Sequence, residues 1–185
     1  MSRIDEVAHR YGQHITIPWQ RTLAGAQRVI MVVYEKELER NFRAKKGEFQ
    51  QRTIGAGHTW IECDLTTAFA KWMAVDEYRE AYFESPEDIQ MKLEDEFKAS
   101  LVESIKFALK QAGEHGVVGV IGAASLFGFT RLSDVIRAVE PDIEGRLVVF
   151  FPGHKDGTNY RLLDARDGWN YLAVGITRQP EGVMA

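Results

Sequence analysis

The spacing of apolar residues along the chain predicts an alternation of helices and strands. Apolar residues three and four positions apart, as at Ile4, Val7 and Tyr11, indicate an amphipathic helix, whereas a continuous apolar run such as RVIMVVY (28–34) is typical of a strand covered on both faces. The predicted helices cover residues 3–13, 36–54, 65–82, 86–112 and 132–139. The predicted strands cover residues 28–34, 59–63, 117–122, 147–151, 160–163 and 172–176. This order favours an α/β fold in which helices flank a mainly parallel sheet.

Capping and turn residues mark the expected boundaries of these elements. Asp64 is a good N-cap for the helix that follows it. Ser85 is expected to cap the longest helix, with Pro86 at its first position and Asp88 placed for a capping box. Pro152-Gly153 is expected to force a turn after the fourth strand.

Length and motif content predict one domain without a cofactor. The chain of 185 residues shows no linker and no repeat, so we expect a single α/β domain over residues 1–178 and a disordered tail at 179–185. The expected sheet is Rossmann-like. However, the chain contains neither the G-x-G-x-x-G fingerprint of dinucleotide binding nor the G-x-x-x-x-G-K-[ST] phosphate-binding loop.

Cysteine usage and hydropathy favour a cytoplasmic protein. Cys63 stands alone, which excludes an internal disulfide and fits a reducing compartment. The first residues lack the apolar core of a signal peptide, and no apolar run approaches the roughly 20 residues of a membrane span. We therefore expect a cytoplasmic location and no membrane contact.

Charge is distributed unevenly along the chain. Residues 35–52 contain six basic and four acidic residues (net +2), and residues 76–103 contain ten acidic and three basic residues (net −7). Two solvated helix faces account for this pattern, and so does a polarised molecule that docks through complementary charge. Direct DNA contact is a weaker hypothesis, because glutamates are interleaved and the whole chain carries −4. The residues that would make that contact are Arg40, Arg43, Lys45, Lys46 and Arg52.

One candidate site lies at the carboxyl ends of the predicted strands, where open parallel sheets bind their ligands. The residues expected there are Glu35, Asp64, Ser125 and His154. A nucleotide- or small-ligand-binding module at this edge is one functional hypothesis. No catalytic motif supports it, since Ser125 is not in a G-x-S-x-G elbow. Scattered histidines and a lone cysteine give no metal site.

The small-residue segment 122–125 follows the third predicted strand and is the nearest approach to an anion-binding turn. It lacks a following lysine. A tight turn explains it better, with Leu126, Phe127 and Phe129 packed on the core.

The second candidate site is the aromatic and charged segment 159–171. Trp, Tyr and Arg are the preferred anchors of protein interfaces. Local ion pairs and turn hydrogen bonds that fix a loop are an alternative explanation, and both can hold together. The predicted interaction residues are Tyr160, Arg161, Arg166, Trp169 and Tyr171.

Five stretches carry a resemblance to a known family. They are LAGAQRVIMVVY (23–34), EAYFESPED (80–88), SLFGFTRLSD (125–134), EPDIEGRLVVFFPG (140–153) and NYRLLDARDGWNYLAV (159–174). With them the chain resembles BrxB, a small subunit of bacteriophage exclusion (BREX) defence systems. The likeness covers nearly the whole chain and is weakest over 36–54 and the tail.

The resemblance implies a set of neighbouring proteins and does not imply a catalytic activity. BrxB proteins are encoded beside a DNA methyltransferase, a large AAA-type ATPase and an alkaline-phosphatase-like protein called PglZ. No catalytic motif of the family can be transferred to residues here. The expectation is therefore a non-catalytic adaptor that binds PglZ or another BREX subunit, and a homodimer is permitted.

Overall fold

In the computed structural model, which describes residues 1–178, helices and strands alternate as the apolar spacing predicts. The helices are α1 (Arg3–Ile15), α2 (Glu39–Gly55), α3 (Ala68–Ala74), α4 (Arg79–Glu84), α5 (Gln90–Lys92), α6 (Lys98–Ala112) and α7 (Leu132–Val139). The strands are β1 (Val29–Tyr34), β2 (Thr59–Asp64), β3 (Gly116–Ile121), β4 (Arg146–Asp156), β5 (Asn159–Leu162), β6 (Trp169–Asn170) and β7 (Val174–Ile176). Among these residues, no helix is both long and apolar enough to span a membrane. The predicted tail, 179–185, lies outside the described residues.

Five of the strands form a parallel sheet in the order β2-β3-β4-β1-β7. The three central strands are β3, β4 and β1, and the apolar segments of these strands are buried along their whole length. Strands with a helix layer on each face have no solvated side, which explains their continuous rather than alternating apolar sequence. The expectation of a mainly parallel α/β domain is confirmed.

One face of the sheet, which we call the α1–α2 face, is covered by two long helices. Their aromatic side chains Phe42 and Phe49 pack against Phe150 of β4, with ring centroids 4.6 Å and 4.9 Å away. The Tyr11 hydroxyl is fully buried beside them and shares a 2.6 Å hydrogen bond with Thr53. Because the Thr53 hydroxyl also donates to the Phe49 carbonyl, these buried polar groups are satisfied.

The opposite face, the α6–α7 face, is covered by the long helix α6 and by several shorter elements. Helices α6 and α7 pack on β3 and β4 through residues such as Leu101, Ile105 and Ile136. The β5–β6 hairpin completes this layer. Short elements leave crevices between them, and the candidate site lies in one of these.

The predicted helix at 65–82 is interrupted, because two aspartates bind the backbone locally. Asp64 accepts from the amide of Thr66 at 2.9 Å, so it closes a turn and does not cap the helix, which begins at Ala68. Asp76 accepts from the amide of Tyr78 at 2.8 Å and ends α3 in the same way. The expectation that Asp64 is an N-cap is therefore wrong.

The predicted long helix is helical from Pro86 to Ala112 but changes its pitch. A π-helical turn at Leu93–Phe97 follows α5 and keeps both terminal side chains of that turn in the core. Pro86 occupies the first helical turn as expected. Ser85 makes no side-chain capping bond, so the expected capping box is absent there.

Pro152-Gly153 does not form the expected turn, because β4 continues through it to Asp156. Up to Pro152, β4 pairs with β1 in parallel; from Gly153 it pairs with β5 in antiparallel fashion. Gly153 allows a close approach, since a Cβ there would lie 2.1 Å from the Arg161 carbonyl oxygen. The strand changes partners at this dipeptide and the chain reverses later, at Gly157, which has φ +57°.

Candidate interaction groove

A surface groove of about 320 Å³ lies between residues 127–133 and residues 162–169 on the α6–α7 face. We call it the hairpin groove. One wall is the loop that enters α7, and the other is the end of β5 with the segment that leads to β6. Its lining residues are Phe127, Gly128, Thr130, Arg131, Leu132, Ser133, Leu162, Ala165, Asp167, Gly168 and Trp169.

Phe127 presents an aromatic ring at the mouth of the groove and is 50% exposed. The next residue, Gly128, has φ +83°, a conformation that L side chains rarely adopt, and it reverses the direction of the chain. Phe129 therefore turns inward and stacks on Phe69 at 4.1 Å. The expectation that Phe127 and Phe129 both pack on the core is correct only for Phe129.

The aromatic residues of segment 159–171 are divided between core and surface. Tyr160 is completely buried and Tyr171 is 7% exposed, so neither contacts a partner in the folded chain. Trp169 lies between them, with ring centroids 5.7 Å and 5.2 Å away, and one side of it faces the groove. The two tyrosines thus support Trp169 from beneath, and their prediction as contact residues is wrong.

The two predicted arginines are surface residues. Arg161 and Arg166 are exposed, and neither forms an ion pair within residues 1–178. Alternation along β5 explains this for Arg161, since its neighbours Tyr160 and Leu162 point into the core. The guanidinium groups therefore stay available to a partner.

Local ion pairing explains the charged residues of segment 159–171 only in part. Asp164 pairs with Lys36, and hydrogen bonding to that lysine lowers the pKa of the carboxyl. This pair ties the segment after β5 to the end of β1. The two explanations of segment 159–171 therefore apply to different residues.

The predicted carboxyl-edge site does not assemble into one constellation. Glu35 pairs with Arg3 and Arg178, at 3.6 Å and 3.8 Å. Asp64 is at the end of β2 and His154 is on β4, with β3 between them, and His154 also lies several residues further along its strand, so the two are more than about 10 Å apart.

The turn after β3 at this edge is filled by the chain itself. A Cβ at Gly122 would lie 2.5 Å from the amide nitrogen of Thr66. Ser125 closes the turn through its own amide, which donates to the Gly122 carbonyl. The interpretation of 122–125 as a tight turn agrees with this packing.

Cys63 is a poor nucleophile at neutral pH, and residues 1–178 form no cluster of metal-binding side chains. Burial raises the pKa of the Cys63 thiol to about 11, with a further rise from Asp64, so the sulfur stays protonated at neutral pH. No group of three or more His, Cys, Asp and Glu side chains in this part of the chain is placed to hold a metal ion.

The basic helix α2 is largely neutralised by neighbouring acids. Arg43 pairs with Glu39 at 2.7 Å, and Lys46 pairs with Glu62 at 2.5 Å. Lys45 pairs with Asp5 of α1. Three of the five cations that a DNA contact would use are thus paired with carboxylates, whereas Arg40 and Arg52 form no ion pair within residues 1–178.

Sequence reasoning missed a second apolar surface. Its members Val75, Tyr78, Phe83 and Met91 are 81%, 64%, 63% and 78% exposed. They lie on α4, on α5 and in the segment between α3 and α4, within or next to the acidic segment 76–103. Val75 and Tyr78 lie where the predicted helix over 65–82 is interrupted, and this interruption could not be read from the sequence.

Comparison with protein-family models, with curated proteins and with solved structures gives no match.

Proposed function

We propose that this chain is a non-catalytic interaction subunit of a BREX-type antiphage defence complex and that it binds the alkaline-phosphatase-like PglZ subunit through the hairpin groove. One observation carries the proposal. Every residue that lines the groove belongs to stretch 125–134 or stretch 159–174, two of the five on which the resemblance to BrxB depends. The fold brings these two separate stretches together to make one surface.

The chemistry of the groove suits a protein ligand. Phe127 and Trp169 offer aromatic surface, and aromatic residues with arginine dominate the binding energy of interfaces. Positive charge at and near the groove comes from three exposed arginines, Arg131, Arg161 and Arg166. Such charge orients an acidic partner surface and speeds its association. An apolar side chain of PglZ would enter the groove while nearby carboxylates meet the arginines.

The test is co-expression of this chain with the PglZ protein, followed by size-exclusion chromatography with light scattering and by calorimetry. Phe127→Ala is the informative variant, and Phe107→Ala is its matched control, because Phe107 is 65% exposed on α6 away from the groove. An anchor residue contributes about 2 kcal/mol or more, so Phe127→Ala is expected to weaken binding at least about 30-fold. Phe107→Ala is expected to leave the affinity unchanged.

Two further variants separate the groove from the rest of the surface. Arg166→Ala is expected to slow association and to make it less sensitive to salt. Phe83→Ala tests the second apolar surface and is expected to be silent. If Phe83→Ala abolishes binding while Phe127→Ala does not, the groove is the wrong surface. If the two wild-type proteins elute separately at micromolar concentration, PglZ is the wrong partner.

A further inference from the structure

A buried arginine lies at the amino-terminal edge of the sheet, at the opposite end of the strands from the hairpin groove. Arg146 is the first residue of β4 and is only 6% exposed. Its guanidinium group donates one hydrogen bond, to the Gly145 carbonyl at 2.9 Å. Within residues 1–178 it forms no ion pair, although buried arginines are nearly always paired.

An aromatic stack holds this guanidinium in place. Arg146 lies 4.5 Å from the ring centroid of Trp19, and Trp19 stacks on His58 at 3.7 Å with an angle of 7° between the rings. The cation–π contact offsets part of the cost of burial.

A second positive charge, that of Arg28, lies near Arg146. Arg28 precedes β1, and its two terminal nitrogens donate to the carbonyls of Ile143 and Arg21, at 2.6 Å and 3.1 Å. Its Nε is buried without a partner. Burial lowers the pKa of Arg146 and the charge of Arg28 adds to that effect, so the two cations destabilise each other. A ligand that carries negative charge would relieve this repulsion.

The groove of about 320 Å³ beside Arg146 is mostly apolar. Ile17, Pro18, Leu23, Leu172 and Val174 line it together with Trp19. Ile17 and Leu172 are 57% and 70% exposed, so apolar surface faces solvent around one buried cation. The amide side chains of Gln20 and Gln27 also line it and can pair with a peptide backbone.

We propose that this amino-edge groove binds the carboxyl-terminal end of a polypeptide whose last residue is apolar. Arg146 receives the terminal carboxylate, the apolar wall receives the last side chain, and Gln20 and Gln27 bind the preceding peptide group. A guanidinium fork matches the two oxygens of a carboxylate. The site is independent of the hairpin groove and of its proposed partner.

The other side of Arg146 argues against a phosphate. The adjoining pocket, which also contains Arg28, is lined by Glu114 and Glu144. These two carboxylates would repel a dianion more than a single carboxylate. An open groove also holds a chain end better than a small free acid, which needs an enclosed cavity to bury most of its surface.

The test is a titration of the full chain, labelled with ¹⁵N, with the acetylated tetrapeptide Ser-Gly-Val-Leu as the free acid and as the C-terminal amide. The Nε–Hε signals of Arg146 and Arg28 and the indole signal of Trp19 are followed. The free acid is expected to shift these signals and to bind at least about 10-fold more tightly than the amide, because a charge-assisted pair is lost in the amide. Equal binding of the two peptides, or no shift at saturating free acid, would overturn the proposal.

Hexanoate and two variants complete the design. Hexanoate is expected to bind at least about 10-fold more weakly than the acid peptide, and equal affinity would make the ligand a small carboxylic acid instead. Arg146→Met is expected to abolish the preference for the acid and to raise Tm, since it removes a buried unpaired charge. The control Arg161→Met is expected to change neither. If Arg146→Met lowers Tm and keeps the preference, Arg146 has only a structural role.

Discussion

The two faces of the sheet are built on the same strands but differ in how they are covered. On the α1–α2 face, two long helices cover the strands, and buried aromatic rings and a satisfied Tyr11–Thr53 hydrogen bond fill the space beneath them. On the α6–α7 face, helix α6 covers the strands together with the short helix α7, a hairpin and the 127–131 loop, and a groove lies between the loop and the hairpin.

The difference shows how one domain combines stability with recognition. The helices of the α1–α2 face pack closely over the strands, and this packing contributes to the free energy of folding. Short elements need loops between them, and loops place side chains such as Phe127 where a partner can reach them. We therefore expect substitutions of buried residues on either face to change stability, and substitutions of exposed loop residues on the second face, such as Phe127, to change binding.

The largest effect is expected from a matched pair of phenylalanine truncations. Phe49→Ala removes a fully buried ring from the α1–α2 face and should lower the free energy of unfolding by about 3–5 kcal/mol. Phe69→Ala removes a partly buried ring from the other face and should cost clearly less, about 1–3 kcal/mol. Urea unfolding of both variants measures this, and equal losses would show that the burial of the ring does not set its contribution to stability.

A smaller effect is expected from Thr53→Val. The Tyr11 hydroxyl would then be buried without its partner, which costs about 1–3 kcal/mol. Thr158→Val, on an exposed residue of the hairpin, should stay within about 0.5 kcal/mol of the wild type. Thermal unfolding monitored by circular dichroism compares the two variants. Similar losses of stability would show that the Tyr11–Thr53 hydrogen bond makes no particular contribution to stability.

Stability should also fall as the pH falls, through the histidines near Arg146. Burial lowers the pKa of His14, and Arg146 adds to the effect. A group with a lowered folded-state pKa contributes stability above its unfolded pKa, near 6.5, and loses it as the pH falls. The free energy of unfolding should therefore be lower at pH 5.5 than at pH 7.5. His14→Gln should flatten the dependence, and an unchanged slope would assign it to other groups.

The smallest effect on stability is expected for Phe127→Ala. Half of that ring is exposed and its truncation leaves no cavity in the core, so the free energy of unfolding should change by no more than about 0.5 kcal/mol. The same variant should show a large loss of partner binding. A large loss of stability, measured by urea unfolding, would mean that Phe127 belongs to the core and that the α6–α7 face is more tightly packed than its groove indicates.

Much of the fold could be predicted because each central strand has a recognisable local sequence pattern. A continuous apolar run such as 28–34 is typical of a strand that is buried on both faces. The interruption of the helix at Asp76 and the partner change at Pro152-Gly153 could not be predicted. Both depend on which backbone group a side chain or a neighbouring strand reaches in three dimensions.

The candidate sites show the same limit. Sequence composition drew attention to segment 159–171, but it could not separate the buried Tyr160 and Tyr171 from the exposed Arg161 and Arg166. The other wall of the groove comes from residues 127–133, about 35 positions earlier. In the sequence, Arg146 stands out only as a charged residue directly before an apolar strand. Its lack of an ion-pair partner is visible only in the fold.

By itself the sequence determined the α/β class, the alternation of its elements and the location of its buried strands, because periodicity and apolar runs are local properties of the chain. Only the tertiary structure decided which aromatic side chains are covered, where a groove remains and which cation lacks a partner. Those properties depend on residues far apart in sequence, since burial and charge pairing are set by neighbours in space.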